Sequence, residues 1–137
     1  MKITVSEKQF SQQVVDLAKI LGWKVYRCWL SIHSPAGFPD LTMVKTLSDG
    51  YTVILFVELK RDGGKLTQSQ IEWLGLLRKP EGCFSFVWTP SQFDAVVEIL
   101  EASDFGQIVE IFCGNITSRK EVNNDTRGNS GLATKAQ

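Results

Sequence analysis

Asp40, Glu58 and Lys60 are the residues of this chain whose types and spacing can do chemistry. Asp40 stands in Gly37-Phe38-Pro39-Asp40-Leu41, and the other two stand in Val57-Glu58-Leu59-Lys60. In an extended chain, residues two apart leave the same face, about 7 Å from each other. The flanking run Val53, Ile54, Leu55, Phe56, Val57 and Leu59 is apolar. A carboxylate and an ammonium on such a strand are costly unless they pair, bind a metal or react. Two carboxylates and a lysine brought to one strand end suit metal-assisted phosphodiester hydrolysis. Asp40, Glu58 and the Leu59 backbone carbonyl offer Mg²⁺ the hard oxygen donors it takes, and Lys60 can orient or help deprotonate a water or stabilise developing charge. The plain alternative is a surface pair of Glu58 and Lys60 at a strand end, with Asp40 capping a turn. The pattern alone is short and degenerate. The proline before Asp40 and the apolar run into Glu58 favour the site.

Positioning these groups requires a hairpin and its flanking helices. Residues 6–21 read as a helix, with Ser6 and Gln9 as a capping box and Phe10, Val14, Leu17, Ala18 and Leu21 on one face; Gly22 ends it. Residues 23–30 read as a strand, followed by a loop from Ser31 to Pro39. Residues 40–46 and 51–60 read as strands joined through Ser48-Asp49-Gly50, an antiparallel hairpin signal. After the Gly-rich loop Arg61–Lys65, Thr67 caps a helix to about Lys79, with Gln70 three residues on and Ile71, Leu74, Leu77 and Trp73 supplying its apolar face. Cys83–Trp88 reads as an interior strand, because it is apolar throughout. Ser91 caps a further helix to about Ala102, and Gln107–Cys113 reads as a fifth strand. The order predicts an α/β domain in which a mixed central sheet is flanked by helices, with a parallel crossover from 51–60 to 83–88. Residues 1–113 form that domain, and the polar stretch 114–137 reads as a disordered tail.

Bulk composition narrows the class without naming it. The chain has 137 residues, 43% apolar and 22% charged, with 15 lysines and arginines against 15 aspartates and glutamates. That suits one soluble domain. A nucleic-acid binder usually carries a basic excess, so any grip on a polyanion has to come from a local cluster and should depend steeply on salt. Lys24, Arg27, Lys60, Arg61 and Lys65 supply such a cluster, to which Ser31, His33 and Ser34 of the loop can add phosphate contacts. No apolar run reaches membrane-spanning length and no signal-peptide layout is present, so a membrane partner is not expected. Cys28, Cys83 and Cys113 are odd in number and irregular in spacing, which predicts reduced thiols in a cytoplasmic setting, with Cys28 and Cys83 as small core residues. The tryptophans 23, 29, 73 and 88 read as core, with Trp29 the one placed for exposure.

The segments carrying these residues resemble the PD-(D/E)XK nuclease superfamily, and more closely its VRR-NUC branch. The resemblance lies in Gly37-Phe38-Pro39-Asp40-Leu41, Phe56-Val57-Glu58-Leu59-Lys60, Gly64-Lys65-Leu66-Thr67-Gln68-Ser69-Gln70 and Val87-Trp88-Thr89-Pro90 with Phe93-Asp94, preceded by Glu7-Lys8-Gln9-Phe10 and Gly22–Tyr26. It covers about residues 5–100. It implies a restriction-endonuclease-like αβββαβ core, Mg²⁺ with Mn²⁺ as substitute, Asp40 and Glu58 as metal ligands, and Lys60 as the catalytic lysine. It places Gln70 beside the site, although Gln70 also reads as the capping partner of Thr67. It allows Glu7 a metal contact through water, although Glu7 also reads as a dipole-favourable first-turn acid. The implied activity is cleavage of DNA, selective for branched structures such as Holliday junctions or flaps, by a homodimer in a bacterial or phage-infected cell. The alternative is a non-catalytic DNA-binding or assembly module on a nuclease fold. Arg27 stands where relatives often carry histidine, and the Ser31–Ser34 loop is less basic than theirs, so substrate grip is expected to differ.

Overall fold

Reciprocal hydrogen bonds at the helix starts set the frame of this chain. The computed structural model describes residues 4–28 and 32–114; Trp29, Ser31 and the stretch 115–137 lie outside the described residues. Helix α1 (Glu7–Ile20) starts where the Ser6 hydroxyl accepts the Gln9 amide and the Gln9 side chain accepts the Ser6 amide. Helix α2 (Gln68–Leu77) starts the same way on Thr67 and Gln70. Each box satisfies donors that a helix start otherwise leaves unpaired.

Between them run β1 (Lys24–Arg27), β2 (Leu41–Thr46) and β3 (Thr52–Leu59), and after α2 comes β4 (Cys83–Trp88). They form one four-stranded sheet in the order β1-β2-β3-β4. The first three strands are antiparallel neighbours, while β4 lies parallel to β3 across the α2 crossover. Asp49 shapes the hairpin turn by accepting the Tyr51 amide at 3.2 Å. The expected αβββαβ order and mixed sheet are therefore those observed.

Alternation along the strands gives the sheet two unlike faces. Leu41, Met43, Val53, Leu55, Val57, Leu59, Phe84, Phe86 and Trp88 point to one side and are buried, together with Phe10, Val14 and Ala18 of α1 and Val96, Ile99 and Leu100 of α3 (Phe93–Glu101). The Trp23 indole ties into this core by donating to the Leu100 carbonyl at 3.0 Å. The opposite face carries Tyr26, Thr42, Val44, Ile54, Phe56, Glu58 and Ser85. There α2 packs on β4 and part of β3, with the Ser85 hydroxyl donating to the Leu74 carbonyl at 2.7 Å.

Several sequence readings give way. Residues 105–114, read as a fifth strand over 107–113, form a helix, α4. The Asp104 carboxylate accepts the Gln107 amide at its start, and Ile108 is fully buried. Phe112 of α4 packs on Phe84 and Phe86. Strand β4, expected in the interior, is the last strand of the sheet among the described residues; helices cover it instead of a further strand, which explains its apolar composition. Ser91 does not cap α3. A 3-10 turn, Pro90–Gln92, comes first, with a capping bond from the Thr89 amide to the Gln92 side chain. In α2 only Leu74 is buried, and Ile71 is half exposed because the helix touches the sheet along a narrow line. Cys28 lies exposed just beyond the end of β1, and Cys83 is only partly covered. No described helix is long and apolar enough to cross a membrane.

The loop before Asp40 is seated on α2. The Trp73 indole donates to the Ala36 carbonyl at 3.2 Å, and the Phe38 ring meets Trp73 edge-on with centroids 5.1 Å apart. Gly37 makes the approach possible: its φ is +97°, and a Cβ there would lie 2.6 Å from the Ser69 backbone. Gly37→Ala should therefore cost more than the roughly 1–2 kcal/mol of a left-handed alanine. Gly50→Ala also sits at positive φ but in open space, and should cost only that. Urea unfolding of both variants checks the difference, expected to be at least about 1 kcal/mol.

Candidate active site

The sheet ends at Leu59, and there three chain segments are stitched together. The Asp40 carboxylate accepts the Leu59 amide at 2.8 Å, while the Asp40 carbonyl accepts the Cys28 amide at 3.2 Å. Asp40 thus bridges the ends of β1 and β3, which fixes its carboxylate beside the last residues of β3. The Lys60 amide donates to the Trp88 carbonyl at 3.0 Å and holds the other flank to β4.

Glu58 lies under the first turns of α2 and is only 3% exposed. The Gln70 side chain donates to its Oε1 at 3.0 Å, and the Lys60 ammonium stands 3.6 Å from the same oxygen. The other end of the Gln70 amide accepts the Thr67 amide at 2.9 Å. One side chain therefore serves both as capping partner and as contact to the acid. Burial, then the neighbouring Asp40 carboxylate, push the Glu58 pKa from 4.5 up to about 8, against the opposing pull of Lys60. The surface-pair alternative for Glu58 and Lys60 does not describe this arrangement, because the acid is inside the protein.

Asp40 and Leu59 also line a cavity of about 700 Å³ with Glu7, Lys8, Ser11, Gln12, Arg27 and Cys28. Arg27 reaches across it to α1, donating to Gln12 at 3.2 Å and to the Ser11 hydroxyl. Among the described residues, no three His, Cys, Asp or Glu side chains come together as a metal-holding group. Glu7 accordingly faces the cavity without joining Asp40 and Glu58 as a third direct ligand. Two carboxylates, a nearby carbonyl and open room for water are a donor set that fits Mg²⁺, which keeps much of its hydration. The two acids stand close enough for Asp40 to raise the Glu58 pKa, with the Lys60 ammonium set against Glu58, and such a pair fits a cation too.

The remaining sequence-derived contacts are dispersed. Arg61 and Lys65 are exposed on the loop after β3, and His33 and Ser34 are exposed on the loop before Asp40. Lys24 pairs in register with Val44 while Arg27 pairs with Leu41, so Lys24 stands about 10 Å farther down the sheet, away from the site. Ser31 lies outside the described residues. Sequence reading missed Lys8, Ser11, Gln12 and Cys28 as cavity-lining residues. A signal exists: Glu7, Lys8, Ser11 and Gln12 form a polar stripe of α1 that flanks the Phe10 and Val14 face.

A layered αβββαβ core with an acid, acid and lysine cluster at a strand end is the architecture of a nuclease core. The chain belongs to the VRR-NUC domain family, whose model matches residues 2–89. The match ends before α3, a little short of the stretch over which the sequence resembles that branch. A solved structure described as a VRR_NUC domain is similar at 28% identity and a TM-score of 0.52, covering 67% of this chain and 94% of that one. No curated protein matches the chain.

The raised pKa of Glu58 has a consequence for stability. A group whose pKa is higher folded than unfolded stabilises fully below its unfolded value, and that contribution is lost as pH rises through the folded value. Metal-free protein should lose stability between pH 4.5 and about 8 on account of Glu58, at up to about 1.4 kcal/mol per pH unit. Glu58→Gln should flatten that slope. Urea unfolding in EDTA across this range compares the two.

Proposed function

We propose that this chain is a divalent-metal-dependent endonuclease that hydrolyses DNA phosphodiester bonds and prefers branched or otherwise structured DNA. The observation that carries the proposal is Glu58, buried to 3% exposure and held by Gln70 and Lys60 next to Asp40 at an open strand end. Burial of an ionisable acid beside a second carboxylate is expensive, and groups perturbed in this way cluster at functional sites. Membership of a nuclease family supports the same chemistry.

In this reading Asp40, Glu58 and the Leu59 carbonyl hold Mg²⁺, with Glu7 contacting it through water. Bound there, the ion supplies charge neutralisation at the phosphate and a more acidic attacking water. Lys60 orients that water and stabilises negative charge as it develops. Gln70 keeps Glu58 in place. Arg27, Arg61 and Lys65 grip the flanking phosphates, with His33 and Ser34 contributing from the loop. Among the described residues there is no separate recognition module, which favours reading DNA shape over base sequence. The non-catalytic alternative would be favoured by loss of an acid or of the lysine, and all three are present.

A second copy is part of the reading, since one small site cuts one strand and paired cuts need two sites related by symmetry. The uncovered half of the sheet offers a surface for it. Tyr26, Thr42 and Phe56 lie side by side in register, and the Phe38 ring joins Phe56 to Trp73. Tyr26 is 66% exposed and Phe38 41%. Exposed rings of this kind, apolar in body with a polar tip on the tyrosine, are enriched at interfaces. The row carries no charge, which suits an apolar copy of itself better than a polyanion.

The test is cleavage in Mg²⁺ or Mn²⁺ of a panel of four-way junction, flap, nicked, single-stranded and linear duplex DNA, with light scattering to count subunits. Branched members should be cut fastest, by a dimer, and Lys60→Ala should lower kcat at least about 100-fold. EDTA should abolish cleavage. Cutting that survives both EDTA and Lys60→Ala would overturn the assignment.

A further inference from the structure

An aspartate sits in the middle of the basic loop that follows β3. The loop reads Lys60-Arg61-Asp62-Gly63-Gly64-Lys65, and Arg61, Asp62 and Lys65 are all exposed. Its turn is tight: the Gly64 amide donates to the Arg61 carbonyl at 2.9 Å, and a Cβ on Gly64 would lie 3.0 Å from that carbonyl and 3.3 Å from the Lys60 Cβ. The base of the loop is fixed independently, by the Lys60 amide on the Trp88 carbonyl and by the Thr67 cap of α2. The tip is tied elsewhere. The Asp62 carboxylate accepts the Ser91 amide at 3.1 Å, and the Ser91 and Thr89 hydroxyls stand within 3.2 Å of one another beside it.

On electrostatics alone, a carboxylate between two phosphate-gripping cations is unfavourable, because it repels the polyanion they attract. Its geometry gives it a different use. With the tip tied to the 3-10 turn after β4, Arg61 and Lys65 are carried on a closed loop instead of a floppy one. Less conformational freedom then has to be lost when phosphate binds. Hydrogen bonding from Ser91, with a smaller contribution from Thr89, also holds the Asp62 carboxyl below the usual carboxylate range, so the tie persists at neutral pH and below.

We propose that Asp62 is a positioning residue for DNA: it pins the loop carrying Arg61 and Lys65 to Ser91, and so strengthens phosphate binding despite its own negative charge. This rests on the nuclease reading above. The two possible roles of the carboxylate predict opposite signs, which makes the inference testable.

The experiment compares wild type, Asp62→Ala and Asp62→Asn. One arm uses the protein alone and follows limited trypsin cleavage after Arg61 and Lys65. The other measures DNA affinity in Ca²⁺, and kcat and KM in Mg²⁺, on the substrate that the panel identifies. Asp62→Ala should be cut by trypsin several-fold faster and should bind DNA about 3- to 10-fold more weakly. The effect should fall on KM, with kcat within about twofold of wild type, since ordering a phosphate clamp acts on binding before chemistry. Asp62→Asn keeps the Oδ1 acceptor and loses the charge, so it should resist trypsin as wild type does and bind DNA at least as tightly. Tighter DNA binding by Asp62→Ala than by wild type, or unchanged trypsin cleavage, would overturn the inference. Failure of wild type to bind any DNA would overturn the nuclease reading, and the trypsin arm would still judge the tie by itself.

Discussion

Taking the Glu58 carboxyl out of water is the constraint around which this structure is arranged. An isolated ionised carboxylate in a protein interior is unaffordable on its own, so it must be neutralised, paired or hydrogen-bonded. All three responses meet at Glu58. The Gln70 amide donates to it, the Lys60 ammonium stands beside it, and its pKa is high enough to hold a proton at neutral pH when no cation is present. Each partner then has to be fixed in turn. Gln70 is fixed by the capping box that starts α2, Lys60 by its own amide on β4, and Asp40 by the Leu59 amide. The first turn of α2 therefore belongs as much to the site as to the helix.

The two faces of the sheet divide the labour. The α1 and α3 side supplies the close-packed core, from Phe10 to Ile99. The α2 side is thinner, with Leu74 the one fully buried residue of that helix. That thinness leaves Tyr26 and Phe38 facing outward, while the open space at the site lies on the other side, between α1, Asp40 and Leu59. The loop before Asp40 is steadied by aromatic contact instead of by a strand, through Phe38, Trp73 and the close approach of Gly37 to Ser69.

What could be read in the sequence was what is encoded locally. Capping boxes at Ser6 and Thr67, the Asp49-Gly50 hairpin and the same-face spacing of Glu58 and Lys60 depend on neighbours within a few residues, and each appears as expected. The misreadings came from burial that depends on distant segments. Gln107–Cys113 is rich in β-branched residues and suggested a strand, yet Ile108, Ile111 and Phe112 follow helical spacing and Asp104 marks the start. There the period was the better guide, because tertiary packing of α4 against Phe84 and Phe86 overrides propensity. Strand β4 looked interior because both its faces are covered, and sequence cannot tell a covering helix from a neighbouring strand. Cys28 reads as core because it stands in an apolar stretch, yet β1 ends at Arg27 and leaves it exposed. The cavity between α1 and Asp40 was out of reach for a related reason, since it joins residues of the first helix to the end of a hairpin far along the chain.

If a divalent cation is what the acid pair is built for, then binding it must displace the proton that burial keeps on Glu58. Titration calorimetry of Mn²⁺ into the protein at pH 7, in two buffers of different ionisation enthalpy, measures that directly. Saturable binding with release of close to one proton per site is expected, with loss of both binding and release in Glu58→Gln. Binding without proton release, or binding that persists in Glu58→Gln, would contradict it.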